Sequence, residues 1–219
     1  GRYSLWLAEH GYTVRHRDIV PKHVEQLRGD AAARGLNVET AVGDARAIDL
    51  DDGGADAVLL LGPLYHLPLR ADRLRALREA ARVVRPGGRV FAAAISRWAP
   101  RLHGEVVERL DLAFPSIHDQ VETVERSGRL LELFPGSFSG YCHRPAQLRA
   151  EVRAAGLDVL ELVNVEGIAF AVADLEARLA DSRGRAIVLN AARELASIPE
   201  LLGIGPHLLA TARRPVQRS

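Results

Sequence analysis

Asp18, Asp44, Tyr65 and His66 are the residues whose types and placement can do chemistry. Asp18 follows the strand-like run 12–17, Asp44 follows the run 36–42, and Tyr65-His66 follow the apolar run Ala57-Val58-Leu59-Leu60-Leu61. All four therefore fall just beyond the carboxyl ends of strands, where open parallel sheets bind ligands. A histidine with a pKa near neutrality can take a proton from a reacting group. Plainer uses exist for each. Asp18 can cap the segment that opens at Pro21, although the spacing is slightly long. Asp44 can close an Asx-turn, and His66 can equally cap a backbone group at its strand end.

Other chemistries find little support. The histidines at 10, 16, 23, 103, 118 and 207 lack metal-binding spacing such as H-E-x-x-H. Asp49, Asp51, Asp52 and Asp56 read as a solvated acidic loop, because they lack regular ligand spacing. Tyr141 and His143, just before the Pro145 helix, could face the site from the insertion, but a surface role is the favoured reading. A net charge of +1 over 219 residues suggests no nucleic-acid surface. No apolar stretch approaches the ~18 residues of a membrane span. Cys142 is the only cysteine, which excludes an internal disulfide and fits a reducing, cytoplasmic setting. With no methionine in the chain, the sequence reads as one that does not open at a translation start.

The elements that must position these residues alternate. A short helix over 4–10 leads to strand 12–17, a helix from Pro21 to near Gly35, and strand 36–42. The run 57–61 shows no polar alternation, which suits a strand covered on both faces. A helix with its stripe at Leu74, Leu77, Ala81 and Val84 is stopped by Pro86-Gly87-Gly88, and strand 89–95 follows. Residues 97–144 are a long, mostly polar insertion. After it come a helix over 145–156, a strand over 157–165, broken helix over 171–197 and a closing strand over 206–213. Gly203-Ile204-Gly205 precedes a strand instead of joining strand to helix, so it reads as turn chemistry. Strand–helix alternation predicts one α/β domain, a doubly wound, mostly parallel sheet with helices on both faces.

Several motifs in this order carry a resemblance. Gly1-Arg2-Tyr3-Ser4 before a helix, Asp18 after the next strand, Gly43-Asp44-Ala45, Leu61-Gly62-Pro63-Leu64-Tyr65-His66-Leu67 and Arg85-Pro86-Gly87-Gly88-Arg89 resemble the class I S-adenosylmethionine-dependent methyltransferases. The likeness is close over 1–96 and loose over 145–213. It implies a Rossmann-like, seven-stranded sheet whose last strand is antiparallel. It implies S-adenosyl-L-methionine as cofactor, with Gly1, Asp18, Ile19, Asp44, Ala45 and Gly62 around it. Asp18 would accept from the ribose hydroxyls, and Asp44 with the Ala45 N–H would meet the adenine. Tyr65 and His66 would serve a methyl acceptor, expected to be a small molecule, with no nucleic acid or membrane partner. Residues 1–96 would form the cofactor half, 97–144 a lid over the acceptor, and 145–219 the rest of the sheet.

Departures from the pattern carry expectations too. Gly1 matches the last glycine of the family's glycine-rich loop, so the first, central strand is expected to be missing from this chain. The strands at 12–17 and 57–61 should then lack a shared neighbour. His16 and Arg17 stand where resembling sequences carry apolar residues. A buried arginine without a partner would cost several kcal/mol, so either that strand is partly exposed or Arg17 has an acidic neighbour. Two competing classes remain: a nicotinamide-dependent oxidoreductase, and a binding domain without catalysis. The tyrosine–lysine pair of short-chain dehydrogenases is impossible, because Lys22 is the only lysine and position 18 is Asp.

Overall fold

The computed structural model describes residues 1–216, and the chain divides into two compact units, the first Gly1–Asp51 and the second from Asp52 onward. The first unit runs α1 (Arg2–Glu9), β1 (Val14–Asp18), α2 (Pro21–Ala33) and β2 (Val38–Val42). Pro21 occupies the first turn of α2, where its missing N–H costs nothing. Val24, Leu27 and Ala31, spaced to share one helix face, are buried. Leu27 and Ala31 close against Leu5 of α1, with Leu36 and Val38 at the edge of the cluster. β1 and β2 pair in parallel, from Val14 opposite Val38 to Asp18 opposite Val42.

Both expectations for Arg17 hold. β1 has no fully buried residue, and Arg17 Nε donates to Asp49 Oδ1 at 2.7 Å while Nη2 donates to Glu39 Oε1 at 2.6 Å. The Asp49 hydrogen bond raises the guanidinium above its ordinary value. His16 sits beside it with Nδ1 3.0 Å from Ser4 Oγ.

The second unit contains β3 (Ala55–Leu60), α3 (Pro63–His66), α4 (Arg70–Val83) and β4 (Val84–Ser96). α5 (Ile117–Ser127), β5 (Arg129–Leu130), β6 (Gly140–His143), α6 (Pro145–Ala154) and β7 (Asp158–Asn164) follow. α7 (Leu175–Ala180), α8 (Ser182–Leu195) and β8 (His207–Arg213) complete it. The strand order is β5-β6-β4-β8-β7, with β3 also on β4. β3 and β6 run parallel to β4, whereas β8 is antiparallel to both β4 and β7. The α/β class and the antiparallel last strand are as expected. Leu77, Ala80 and Val83 of α4, Val90 and Ala92 of β4, Leu148 and Val152 of α6, and Leu208 and Ala210 of β8 form the buried interior. Each large aliphatic side chain so buried contributes roughly 1.5–3 kcal/mol.

Among the described residues β1 pairs with β2 alone and β3 with β4 alone, so the two share no strand. That explains one departure. The run 57–61 is not covered on both faces: in β3 only Leu60 is fully buried, and Leu59 is 39% exposed. With one edge unpaired, β3 behaves as an edge strand. A second departure concerns Pro86-Gly87-Gly88. α4 ends at Val83, and β4 begins directly at Val84, taking in the whole motif. The register skips between Val84 opposite Ala55 and Arg89 opposite Ala57. A Cβ at Gly88 would stand 2.6 Å from the Asp56 carbonyl oxygen, so the motif lets the β3 backbone approach closely.

The segment 97–144 begins with a helical stretch of π type, Pro100–Val107, and continues through α5. Arg101 ties the two together, with Nε donating to Glu125 Oε1 at 2.5 Å. Its last residues are a sheet strand. β6 pairs with β4 through Ile95 opposite Cys142 and Ser96 opposite His143. β3 leaves that same edge of β4 at Ala92, the partner of Leu60. The chain from Leu61 therefore turns out of the sheet, and β6 takes the vacated edge.

Candidate functional site

In the first unit the strand ends that carry the two aspartates are neighbours, and of the two only Asp18 lines the cavity described below. Asp18 ends β1, and Gly43 donates its N–H to the Asp18 carbonyl at 3.0 Å, extending the parallel pairing one step past Val42. Asp18 and Asp44 thus emerge side by side at one end of the two-stranded sheet. Asp18 Oδ1 accepts the Val20 N–H at 2.8 Å, and Oδ2 lies 3.3 Å from His23 Nδ1. The N-cap of α2 is Val20, with no side-chain cap, so Asp18 does not cap that helix. Gly1, Trp6, Asp18, His23 and Leu27 line a cavity of about 560 Å³, within the ~300–1,000 Å³ of small-molecule sites. Ile19, just past the strand, is 63% exposed.

Asp44 does close the Asx-turn, accepting the Arg46 N–H at 2.8 Å on Oδ1. The Arg46 guanidinium also grips the carboxylate, with Nη2 donating to Oδ2 at 2.7 Å and Nε at 3.1 Å to each oxygen. Ala45 lies in the turn closed by the Ala47 N–H on the Asp44 carbonyl at 3.0 Å. A carboxylate offers about four lone-pair sites. Asp18, engaged by one N–H and one imidazole, keeps room for the two hydroxyls of a ribose. Asp44 keeps less, because each of its oxygens already accepts two N–H groups of Arg46. Asp18 therefore fits an adenosine-containing cofactor well at the sugar end, and Asp44 more tightly at the base end.

In the second unit, Gly62 and the short α3 set Tyr65 and His66 beside the far end of the segment 97–144. The Tyr65 N–H donates to the Gly62 carbonyl at 3.2 Å. The Tyr65 and His66 rings lie 4.9 Å apart, and Phe138 meets His66 edge-on at 5.1 Å and 83°. Tyr65 and Phe138 are 6.3 Å apart. This placement depends on Gly140, because a Cβ there would collide with the Tyr65 carbonyl oxygen. Burial pushes the Tyr65 phenol above its ordinary pKa. It remains a donor at neutral pH.

Tyr141 and His143 are not a surface pair. Tyr141 is 8% exposed and His143 fully buried, because β6 is an inner strand. Arg97, at the corner where a lid would start, is likewise buried. Its Nε donates to the Cys142 carbonyl at 2.8 Å and its Nη2 to Gln147 Oε1 at 2.8 Å, so it braces β4 against β6 and α6. The acidic loop is solvated, as expected, and its exposed carboxylates carry surface ion pairs: Asp49 with Arg17, Asp52 with Arg82 and Asp56 with Arg85. Trp6, His23, Arg46 and Phe138 stand beside the candidate residues, and sequence reasoning singled out none of them for the site. Arg46 alone had a local signal, standing two residues after a turn-forming aspartate.

A family profile described as a methyltransferase domain matches residues 1–92. The ubiquinone/menaquinone biosynthesis C-methyltransferase UbiE of Acidiphilium cryptum is 30% identical over 175 residues, 76% of this chain and 66% of that protein. The chain belongs to the class I S-adenosylmethionine-dependent methyltransferases. Methyltransferase GfsG of Streptomyces halstedii is 29% identical over 168 residues, covering 75% of this chain and 52% of that protein. The chain thus spans about half the length of this relative. A SAM-dependent methyltransferase from Methanosarcina mazei shares the fold, with a TM-score of 0.65 at 16% identity over 98% of this chain and 87% of that one. The [4+2]-cyclase SpnF does so with a TM-score of 0.57 at 19% identity, covering 97% and 70%. The family's fold is therefore shared with a protein named for another reaction, and it does not fix the chemistry. No helix among the described residues is long and apolar enough to cross a membrane.

Proposed function

We propose that this chain transfers a methyl group from S-adenosyl-L-methionine to a small molecule with an apolar, planar face. The observation that carries the reading is Asp18, held at the end of β1 beside Gly43-Asp44 and lining one cavity with Gly1. The cofactor, when bound, supplies an activated sulfonium methyl for in-line transfer to the acceptor's nucleophile. Asp18 would accept from the ribose hydroxyls. Ile19, exposed past the strand end, would offer its side chain to the base, and the Asp44 carboxylate with the Ala45 N–H would meet the adenine edge. Gly62 gives the main chain its turn into α3.

On the acceptor side, His66 takes the proton that the nucleophile loses, and Tyr65 donates a hydrogen bond that orients it. Phe138, 41% exposed, offers an apolar wall next to both. UbiE is named for ubiquinone/menaquinone biosynthesis, which supports a ring-bearing small-molecule acceptor here. The residues 97–139 would then exclude water from the acceptor. A cytoplasmic protein with no nucleic-acid partner fits this reading.

Removing the carboxylate tests the cofactor half. Asp18→Ala is expected to weaken S-adenosylmethionine binding by about 1.5–3 kcal/mol, the range for hydrogen bonds to a charged group. Calorimetry showing unchanged affinity would take Asp18 out of the site.

A further inference from the structure

Outside the residues just assigned, the second unit buries a charged cluster that no step of methyl transfer uses. Arg73 of α4 is 2% exposed and Glu151 of α6 is 4% exposed. They pair through two N–H donors, Arg73 Nε to Glu151 Oε2 at 2.9 Å and Nη2 to Oε1 at 2.8 Å. His143 of β6, fully buried, places Nε2 3.2 Å from Glu151 Oε2. Its Nδ1 has no partner, which leaves Nε2 as the nitrogen that carries the proton.

The remaining donor of Arg73 is what makes the cluster more than a core ion pair. Nη1 reaches both the Leu67 carbonyl and the Pro68 carbonyl, each at 2.9 Å. These are the first two residues after His66. The guanidinium plane also stacks on Tyr141, 3.6 Å from the ring centroid. Tyr141 adjoins Gly140, which lies so close to Tyr65 that a Cβ there would collide with the Tyr65 carbonyl oxygen. One side chain thus grips both strands of the chain between which Tyr65, His66 and Phe138 assemble. A planar fork with five donors can hold a carboxylate, two carbonyls and a ring face at once; a lysine ammonium, with three, cannot.

We propose that Arg73 is a positioning residue for acceptor turnover, anchored by Glu151 and His143 and acting through the Leu67–Pro68 carbonyls and Tyr141 to fix His66 against Phe138. This rests on the reading of Tyr65 and His66 as the acceptor side.

Arg73→Lys keeps the charge and one contact to Glu151 but loses the fork. In the folded variant the imidazole proton signals of His66, set by the edge-on Phe138 ring, should move in the NMR spectrum. Amide exchange over residues 62–69 should quicken about tenfold, a change of about 1.4 kcal/mol, with α4 and α6 as protected as before. Affinity for S-adenosylhomocysteine should not change. Unmoved His66 signals and unchanged exchange would overturn the proposal. Equal loss of protection across α4 and α6 would also overturn it, by making Arg73 an ordinary core residue. Should Arg73→Lys not fold, Arg73→Gln with Glu151→Gln removes both charges together and leaves none unpaired; the same readouts decide. His66→Gln with undiminished methyl transfer would defeat the acceptor reading while leaving the positioning result standing.

Discussion

His66→Gln is expected to slow methyl transfer by about 100- to 10,000-fold, the range for a positioned general base, while S-adenosylmethionine affinity stays unchanged. Glutamine keeps the size and a hydrogen bond but cannot hold the proton. The companion variant Tyr65→Phe should cost much less, because burial keeps that phenol protonated and confines it to orienting. The split between the two variants is the informative quantity. Equal losses would mean that the pair acts as a packing unit with Phe138. Undiminished turnover in His66→Gln would leave His66 with only the backbone-capping use. Single-turnover measurements with labelled cofactor separate the chemical step from binding.

Glu151→Ala is expected to cost about 3–5 kcal/mol of stability, because it leaves Arg73 charged in the interior with only carbonyl dipoles and a ring for company. That is a large part of the 5–15 kcal/mol typical of a whole domain. Asp158→Ala, which removes the exposed partner of Arg213, should cost roughly 0–1 kcal/mol. Urea unfolding of the two variants side by side reads the difference. The acid limb gives a second reading. Burial alone would raise the Glu151 carboxyl, but the hydrogen bonds from His143 and Arg73 outweigh it and hold the pKa down to about 2, from an ordinary 4.5. A carboxylate depressed in the folded state stabilises fully above its unfolded pKa. That contribution is lost as pH falls from about 4.5 toward 2. The wild type should therefore show a decline in this window that Glu151→Ala lacks. Parallel profiles would mean that the carboxylate does not carry the coupling.

Local patterns carried the first unit and most of the second. Pro21 and the Val24–Leu27–Ala31 stripe mark α2, and the pairing of Asp18 with Val42 follows from two short runs of like length. The places where sequence reasoning fell short are those decided by partners far along the chain. Gly140–His143 is too short and too mixed to announce a strand, and it exists because β4 outruns β3 and offers a free edge. The burial of Tyr141 and His143 follows from that pairing, and nothing near them in sequence signals it. The run 57–61 carries the apolar signature of an inner strand yet lies at an edge of its sheet. Arg73 reads as a polar helix position; only the approach of Glu151, 78 residues on, makes it a buried clamp. Asp18 and Asp44 were legible because motif spacing ties them to strand ends. Arg46, which grips Asp44, and Phe138, which meets His66, were not.

The central claim is that Asp18 and its neighbours hold the adenosine part of S-adenosylmethionine and not a nicotinamide dinucleotide. Calorimetric titration with S-adenosylhomocysteine and with NADH, run side by side, tests it most directly. Saturable binding of S-adenosylhomocysteine, weakened by Asp18→Ala, with no heat from NADH is the predicted result; binding of NADH instead, or S-adenosylhomocysteine affinity indifferent to Asp18, would contradict it.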